Sequence, residues 1–290
     1  LLMFVNMKAS IIMSTYNAEE WLEKVLWGFS VQTEKDFEII IADDGSLPKT
    51  AELIEALGKQ IQIPIIHVWH EDNGFQKTQI LNKAIVASNT DYLIFTDGDC
   101  IPRKDFVAKH LQLREKGHFL SGGYFKLPMD ISKTISKEDV LSQNCFNIDW
   151  LKGKGLKNSF KNSKFIVSGF WANFLNFITT TKPSWNGHNA SGWKKDIVAV
   201  NGFNQDMQYG GEDREFGERL NNFGIKSKQI RYSAICVHLE HERGYANEES
   251  KIKNLSIRQY NKKHHITAVK NGINVLFQNA VVAESEKVAV

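Results

Sequence analysis

Four short apolar runs in the first hundred residues, separated by segments with helical patterning, constrain this chain more than any other feature. Ser10–Met13, Phe37–Ala42, Ile63–Trp69 and Asp91–Phe95 are rich in isoleucine and other strand formers, and the first two are almost unbroken by polar residues. Such runs suit strands buried on both faces. Between them, Trp21, Leu22, Val25, Leu26 and Phe29 recur at helical spacing, as do Leu53, Ile54 and Leu57, and then Ile80, Leu81, Ala84 and Ile85 over Lys77–Ala87. Asn17, three residues before Glu20, reads as a capping box, and Ser46 reads as the cap of the second helix. A strand–helix–strand–helix order predicts an α/β fold: a mostly parallel central sheet flanked by helices on both faces.

Ligands of such sheets bind beyond the carboxyl ends of the strands, and the polar clusters of this sequence lie there. Ser14-Thr15-Tyr16-Asn17 follows the first run, Asp43-Asp44-Gly45-Ser46 the second, and Thr96-Asp97-Gly98-Asp99 the fourth. Asp97 and Asp99, two residues apart, can share a hard divalent cation that neutralises a diphosphate; a plain Asp-Gly surface turn is the competing reading. A carboxylate at Asp43 or Asp44 can accept the imide N–H of uracil, or serve only a turn.

The second half is less regular. Leu151–Lys164, rich in Lys, Gly and Asn, reads as a mobile loop, and an aromatic-rich stretch follows at Phe165–Phe177. Gly210-Gly211-Glu212-Asp213 leads into a helix over Glu212–Phe223. An ionised carboxylate there can take a proton from a hydroxyl, and the helix N-terminus favours the ionised form; plain complementation of the helix dipole explains the same residues. Ser233–Val237 reads as a strand ending at His238-Leu239-Glu240-His241, whose two histidines are candidate metal ligands or structural residues. A further helix is expected near Asn247–Asn261.

Composition excludes more than it selects. A net charge of +3 is too small to imply nucleic-acid binding. Three scattered cysteines, Cys100, Cys145 and Cys236, argue against a disulfide framework and for a reducing compartment. No apolar run approaches the ~20 residues of a bilayer span, and Leu1–Met7 is too short for a cleavable signal. The expectation is a cytoplasmic protein. Peripheral contact with the inner face of a membrane stays open, through the basic stretch Lys251–Lys270.

Taken in order, Ile11–Asn17, Ile40–Ser46, Glu71-Asp72-Asn73-Gly74-Phe75, Asn82-Lys83-Ala84 and Phe95–Asp99 resemble the family 2 glycosyltransferases of GT-A fold. Asn201-Gly202-Phe203 through Gly210-Gly211-Glu212-Asp213 resembles the carboxyl-terminal galactosyltransferase-type region that bacterial chondroitin-type polymerases share. The resemblance spans about Lys8 to Glu242. It implies one GT-A domain over 1–242, with a Rossmann-like nucleotide-binding half at 8–120, an acceptor and catalytic-base half at 121–242, and a basic, partly helical tail at 243–290.

The resemblance also implies roles. Ser14, Tyr16, Asp44 and Asp97 would hold the nucleotide of a UDP-sugar. Asp97, Asp99 and His238 would hold Mn2+ or Mg2+, with His241 competing for the place of His238. Asp213 would be the catalytic base, with Glu212 orienting a saccharide acceptor, possibly lipid-linked. Asn189, Ser191 and Lys194 fall in the segment that carries donor and acceptor contacts in relatives, without individual roles here. Trp171 and Trp193 are either sugar platforms or core. Where relatives carry Arg, Leu81 precedes Asn82, so Lys77 or Lys83 would have to supply the cation facing the nucleotide-site carboxylates. The implied reaction is a single displacement with inversion, in polysaccharide or lipopolysaccharide synthesis. A nucleotidyltransferase is one alternative, but the Gly-rich phosphate loop common near the first strand of such enzymes is absent from Ser14–Glu20; a non-catalytic nucleotide- or carbohydrate-binding protein is the other.

Overall fold

The computed structural model describes residues 7–241 and 248–276. Among them, four strands lie parallel: β1 (Ala9–Thr15), β2 (Phe37–Asp43), β3 (Ile65–Trp69) and β4 (Tyr92–Asp97). Helices α1 (Glu19–Ser30), α2 (Pro48–Gly58) and α3 (Lys77–Ala87) connect them. β5 (Cys100–Pro102), α4 (Phe106–Leu113), β6 (His118–Ser121), β7 (Gly123–Lys126), β8 (Ala190–Trp193), β9 (Lys226–Gln229) and β10 (Ile235–His238) complete two sheets. The larger runs β3-β2-β1-β4-β8-β6-β9, and the smaller β5-β10-β7. β8 comes from the second half of the sequence yet pairs antiparallel with both β4 and β6, so the two halves share one sheet.

The period-two alternation of the strands divides the core. Ile11, Met13, Ile39, Ile41 and Ile94 pack on one face with Leu22, Val25 and Leu26 of α1 and Ile54 of α2. Ile12, Ile40, Ala42, Leu93 and Phe95 pack on the other with Ile80, Leu81 and Ala84 of α3. Every residue of β2 is buried, which explains why its sequence shows a continuous apolar run and not alternation.

Three local expectations are corrected. Asn17 does not cap α1; it sits at φ 44° and Ala18 takes the cap position. Its N–H donates to Ser46 Oγ at 2.8 Å, and its Oδ1 accepts from Leu47 N–H at 2.9 Å. Ser46 likewise caps no helix: Leu47 precedes α2, with Pro48 in its first turn. The two polar residues clamp the β1 and β2 loops to each other. Leu151–Lys164 is not one loop. The helix Ile148–Gly153, a 3-10 turn Phe160–Asn162 and the turn Ser163–Ile166 cover much of it, anchored by buried Leu151 and Leu156.

The three described cysteines are free and buried. The helix Glu248–Lys263 docks on the helix Glu212–Asn222: Arg258 pairs with Glu218 at 2.6 Å, and Asn261 donates to Glu215 Oε1 at 2.7 Å. No described helix is long and apolar enough to cross a membrane.

Candidate active site

The loops after β1, β2 and β4 meet along one edge, as the parallel register requires. Ser14 Oγ donates to Asp97 Oδ1 at 2.7 Å, and Lys77 Nζ, at the start of α3, donates to the same oxygen at 2.8 Å. Burial opposes the ionisation of Asp97, but the charge and hydrogen bond of Lys77 and the Ser14 hydroxyl outweigh it, and the carboxyl is held well below its ordinary range. Lys77 is raised well above its own: burial again opposes the charge, and Asp97, Asp213 and Glu212 overcome it. Leu81 lies in the core, and the cation that its position lacks comes from Lys77. Lys83 turns instead toward His70 Nδ1, 3.3 Å away.

Asp44 is buried, with Oδ1 2.8 Å from His70 Nε2 and Oδ2 accepting from Gln76 N–H at 3.0 Å. Tyr16 is exposed and donates to Asp72 Oδ2 at 2.9 Å, so the first three loops form a shelf with an exposed aromatic at its rim. Asp43 serves the shelf from behind, accepting from Ser46 N–H at 2.8 Å and facing His67 Nε2 at 2.8 Å.

Asp99 lies beside the end of β10, near Asp97 but with different partners. Its Oδ2 lies 2.8 Å from His241 Nε2 and 3.5 Å from His238 Nε2, and the two imidazoles are stacked. Burial pushes the Asp99 carboxyl up, but the hydrogen bond of His241 and the charge of His238 leave it lowered. His238 is buried and its Nδ1 has no partner among the described residues. A carboxylate flanked by two imidazoles offers donors of the type that hold a divalent cation. Ligand-type atoms of Asp99, Cys100 and His238 lie within 4.8 Å of one another. Burial raises the Cys100 thiol well above its usual range, and its Sγ donates to Asp99 Oδ1 at 3.2 Å. Asp97 joins neither histidine; one of its oxygens is committed to Ser14 and Lys77.

Asp213 stands on the wall of a cleft of about 370 Å³, which Tyr124, Trp185, His188 and Arg231 also line. His188 and Tyr124 each lie against His238, at ring-centroid distances of 6.4 and 5.9 Å, so the cleft adjoins the Asp99 corner. Of the ten buried side-chain polar atoms without a partner among the described residues, five line this cleft: Trp185 Nε1, Asn186 Oδ1, Asp213 Oδ1, Gln229 Oε1 and Arg231 Nε. Buried polar groups are normally paired, and five unpaired ones gather at this cleft. Burial pushes the Asp213 carboxyl up to about 7; Lys77 pulls it down, while Glu212 and Asp97 push it further up. Asp213 stands in the first turn of the helix Glu212–Asn222, as the sequence pattern predicts, and burial is the largest influence on its carboxyl.

Asp213 is positioned by a chain of buried contacts. Gly210 and Gly211 both have positive φ, 114° and 95°, which brings the chain into the helix Glu212–Asn222 by a turn that L side chains resist. Glu212 lines the cleft but spends Oε2 on Gly210 N–H at 2.9 Å, and Asn254 Nδ2 donates to the carbonyls of Gln208 and Gly210 from the docked carboxyl-terminal helix. Farther along, the fully buried Arg219 pairs with Glu215 at 2.7 Å and donates to the carbonyls of Val200 and Gly202. Asn82 closes the loop from α3: it both donates to the carbonyl and accepts from the amide of Phe203, at 2.8 Å each. The motif at Asn82 and the motif at Asn201-Gly202-Phe203 are thus two ends of one joint.

Asn189 and Ser191 are structural. Both are fully buried and clasp His110, through its Nε2 at 2.9 Å and its Nδ1 at 2.7 Å. Lys194 donates to the Ser88 carbonyl at 2.6 Å. Trp193 packs edge-on against Tyr92 with Nε1 on the Glu115 carbonyl, while Trp171 is exposed. Sequence reasoning missed His70 and His188. Neither sits in a patterned motif, and only the fold brings them to the shelf and the cleft.

The glycosyl transferase family 2 profile matches residues 10–177, and one described as the N-terminal domain of galactosyltransferase matches 181–242. An uncharacterized glycosyltransferase, YfnE of Bacillus subtilis, is 27% identical over 81% of this chain and 65% of its own length. Chondroitin synthase of Escherichia coli is 25% identical over 88% of this chain and 38% of its own. The chain thus spans under two thirds of both relatives. Among solved structures, S. aureus TarS 1–349 in complex with UDP-GlcNAc aligns at TM-score 0.58 and 14% identity, covering 89% of this chain and 69% of that one. Mannosyltransferase PcManGT from Pyrobaculum calidifontis, in complex with GDP-Man and Mn2+, aligns at 0.54 and 18%, covering 83% and 59%. These likenesses show the GT-A fold, a mostly parallel sheet between helices, and with the family profile covering more than half its length, the chain belongs to glycosyl transferase family 2.

Proposed function

We propose that this chain transfers a hexosyl group from a UDP-sugar to a hydroxyl of a saccharide acceptor, inverting the anomeric configuration, in the synthesis of a cell-surface polysaccharide or lipopolysaccharide. The observation that carries this reading is the cleft itself: Asp213 on one wall, five unpaired buried polar atoms around it, and the Asp99–His238 corner adjoining it.

Ser14, Tyr16, Asp44 and Asp97 form the shelf for the nucleoside, at the carboxyl ends of β1, β2 and β4. Asp99 and His238, with His241 beside them, would hold Mn2+ or Mg2+. The mixed carboxylate and imidazole set favours manganese, since magnesium prefers an all-oxygen shell. When bound, the cation supplies charge neutralisation for the departing diphosphate. Lys77 keeps Asp97 ionised and stands between the shelf and the base. Asp213 accepts the proton of the acceptor hydroxyl, whose oxygen bonds to the anomeric carbon as the bond to the diphosphate oxygen breaks. A single displacement of this kind inverts configuration. Glu212 holds the Gly210 turn and so sets where Asp213 stands. The relatives' names, chondroitin synthase among them, support a glycan product.

The test is UDP release from a panel of UDP-sugars with a mixed saccharide acceptor pool. Acceptor-dependent release, abolished in Asp213→Asn, is expected. UDP binding without release across the panel would instead favour a non-catalytic binding protein.

A further inference from the structure

The helix Gly169–Ile178 is turned inside out. At 100° per residue, Phe170, Trp171, Phe174, Phe177 and Ile178 fall within about 120° of its circumference. All five are exposed: Phe177 by 87%, Phe170 by 75% and Trp171 by 64%. The protein-facing side carries Ala172, which is buried, and Asn176, whose side chain donates to Ser233 Oγ at 2.8 Å and accepts from Tyr232 N–H at 2.8 Å. A helix of a soluble domain presents the reverse pattern. The apolar surface extends to Ile166 and Phe160, exposed by 67% and 85%, which border an open groove of about 490 Å³.

The segment that carries this surface has charge of one sign. Between Asp149 and Asp196 the sequence contains no acidic residue. Lys152, Lys154, Lys157, Lys161 and Lys182 are exposed in that interval and none forms an ion pair among the described residues. Exposed aromatic side chains and exposed lysines in one segment match the chemistry of an anionic bilayer surface: rings enter at the headgroup level and ammonium groups meet lipid phosphates. A second copy of the chain is a poor occupant, because a two-fold contact would set the lysines of both copies against each other.

We propose that residues 152–182 form a docking surface for an anionic lipid bilayer, with the aromatic face of the helix Gly169–Ile178 inserted at the headgroup boundary. The surface ends at Thr181 and Lys182, which line the cleft of Asp213. Docking therefore places the cleft mouth beside the membrane, where a lipid-anchored acceptor would present its saccharide. Only this last consequence rests on the sugar-transfer reading; bilayer binding does not.

The experiment is co-sedimentation of the full chain with vesicles of phosphatidylcholine alone or mixed with phosphatidylglycerol. Three proteins are compared: wild type, Phe170→Ser/Trp171→Ser/Phe177→Ser, and Lys152→Glu/Lys157→Glu/Lys161→Glu. UDP binding by calorimetry and circular dichroism are measured on the same samples. Wild type is expected to bind the anionic vesicles, and the charge reversal to weaken binding on the order of a hundredfold. The aromatic variant should lose it as well, while both variants keep native dichroism and wild-type affinity for UDP. Since the altered side chains are exposed, folding is expected to survive; should one variant misfold, the other decides. Failure of wild type to bind, equal binding by the folded variants, or a wild-type dimer that the aromatic variant dissociates would each overturn the proposal. A failure of UDP binding in wild type would instead count against the sugar-transfer reading.

Discussion

Lys77 Nζ lies 2.8 Å from Asp97 Oδ1, and the same ammonium is drawn on by Asp213 and Glu212 from the other half of the chain. One lysine thereby serves the proposed nucleotide shelf and the proposed base together. Replacing it with Met leaves Asp97 and Asp213 without their shared counter-charge. The expected cost is about 3–5 kcal/mol of stability in denaturant titration. The pH midpoint of kcat/KM should rise, since Lys77 holds Asp213 down. Lys77→Arg should recover most of both.

Asp213→Asn should abolish transfer, by a factor of about 100 or more, and leave UDP affinity unchanged. It should also stabilise the fold. The Asp213 carboxyl is raised from 3.8 to about 7 by burial, so between those values the folded protein holds a proton that the unfolded chain releases. Stability conferred by that proton is lost as pH rises through about 7. Melting at pH 8 should show the variant more stable than wild type by about 1–3 kcal/mol, with a smaller difference at pH 5. The same shift predicts that wild-type kcat/KM rises with pH to a plateau, with a midpoint near 7.

A Cβ at Gly187 would stand 2.6 Å from Asp213 Oδ2. Gly187→Ala must push the carboxylate aside, and an ångström-scale misplacement of a reacting group lowers kcat by roughly a hundredfold. Steady-state kinetics should show the loss in kcat with UDP inhibition constants unchanged.

Much of this architecture was legible in the sequence, and the limits have physical causes. β1, β2 and β4 showed because strands buried on both faces need unbroken apolar runs, and Asp44, Asp97 and Asp99 followed from the strand ends. Asp213 showed because two glycines before two acids mark a helix start. His188 and His70 did not show, because their neighbours are distant in sequence and no local period marks them. Asn17 and Ser46 misled because a clamp between two loops uses the same residue types as a helix cap. Asn189 and Ser191 were legible only as a region. Their work is to hold His110 deep in the core, a task that no spacing announces.

That core histidine gives a further prediction. Burial pushes His110 from 6.5 down to about 4. Its Nε2 lies 2.9 Å from Asn189 Oδ1, and Ser191 Oγ lies between its Nδ1 and the Tyr92 hydroxyl, 2.7 Å from each. The unfolded chain takes up a proton below pH 6.5 that the folded one refuses until about 4. Stability is complete above 6.5 and falls as pH drops toward 4, by about 3 kcal/mol in all. Asn189→Ala, which also strips partners from the Gly123 and Ala234 carbonyls, should cost about 2–4 kcal/mol at neutral pH. Urea titrations at several pH values check both.

The two histidines at the end of β10 are separable by manganese titration of activity. His238 is the more buried and lies against the cleft rings. His238→Ala should raise the manganese requirement more than about tenfold, and His241→Ala by less. The reverse order would assign the ligand role to His241.

UDP and a divalent cation are proposed to bind together at the edge that carries Asp97 and Asp99. The decisive measurement is calorimetric titration of UDP with and without Mn2+, on wild type and Asp99→Asn. Binding is expected to strengthen at least about tenfold with Mn2+ in wild type and to gain nothing from Mn2+ in the variant. UDP affinity that is the same with and without the metal in wild type would contradict the proposal.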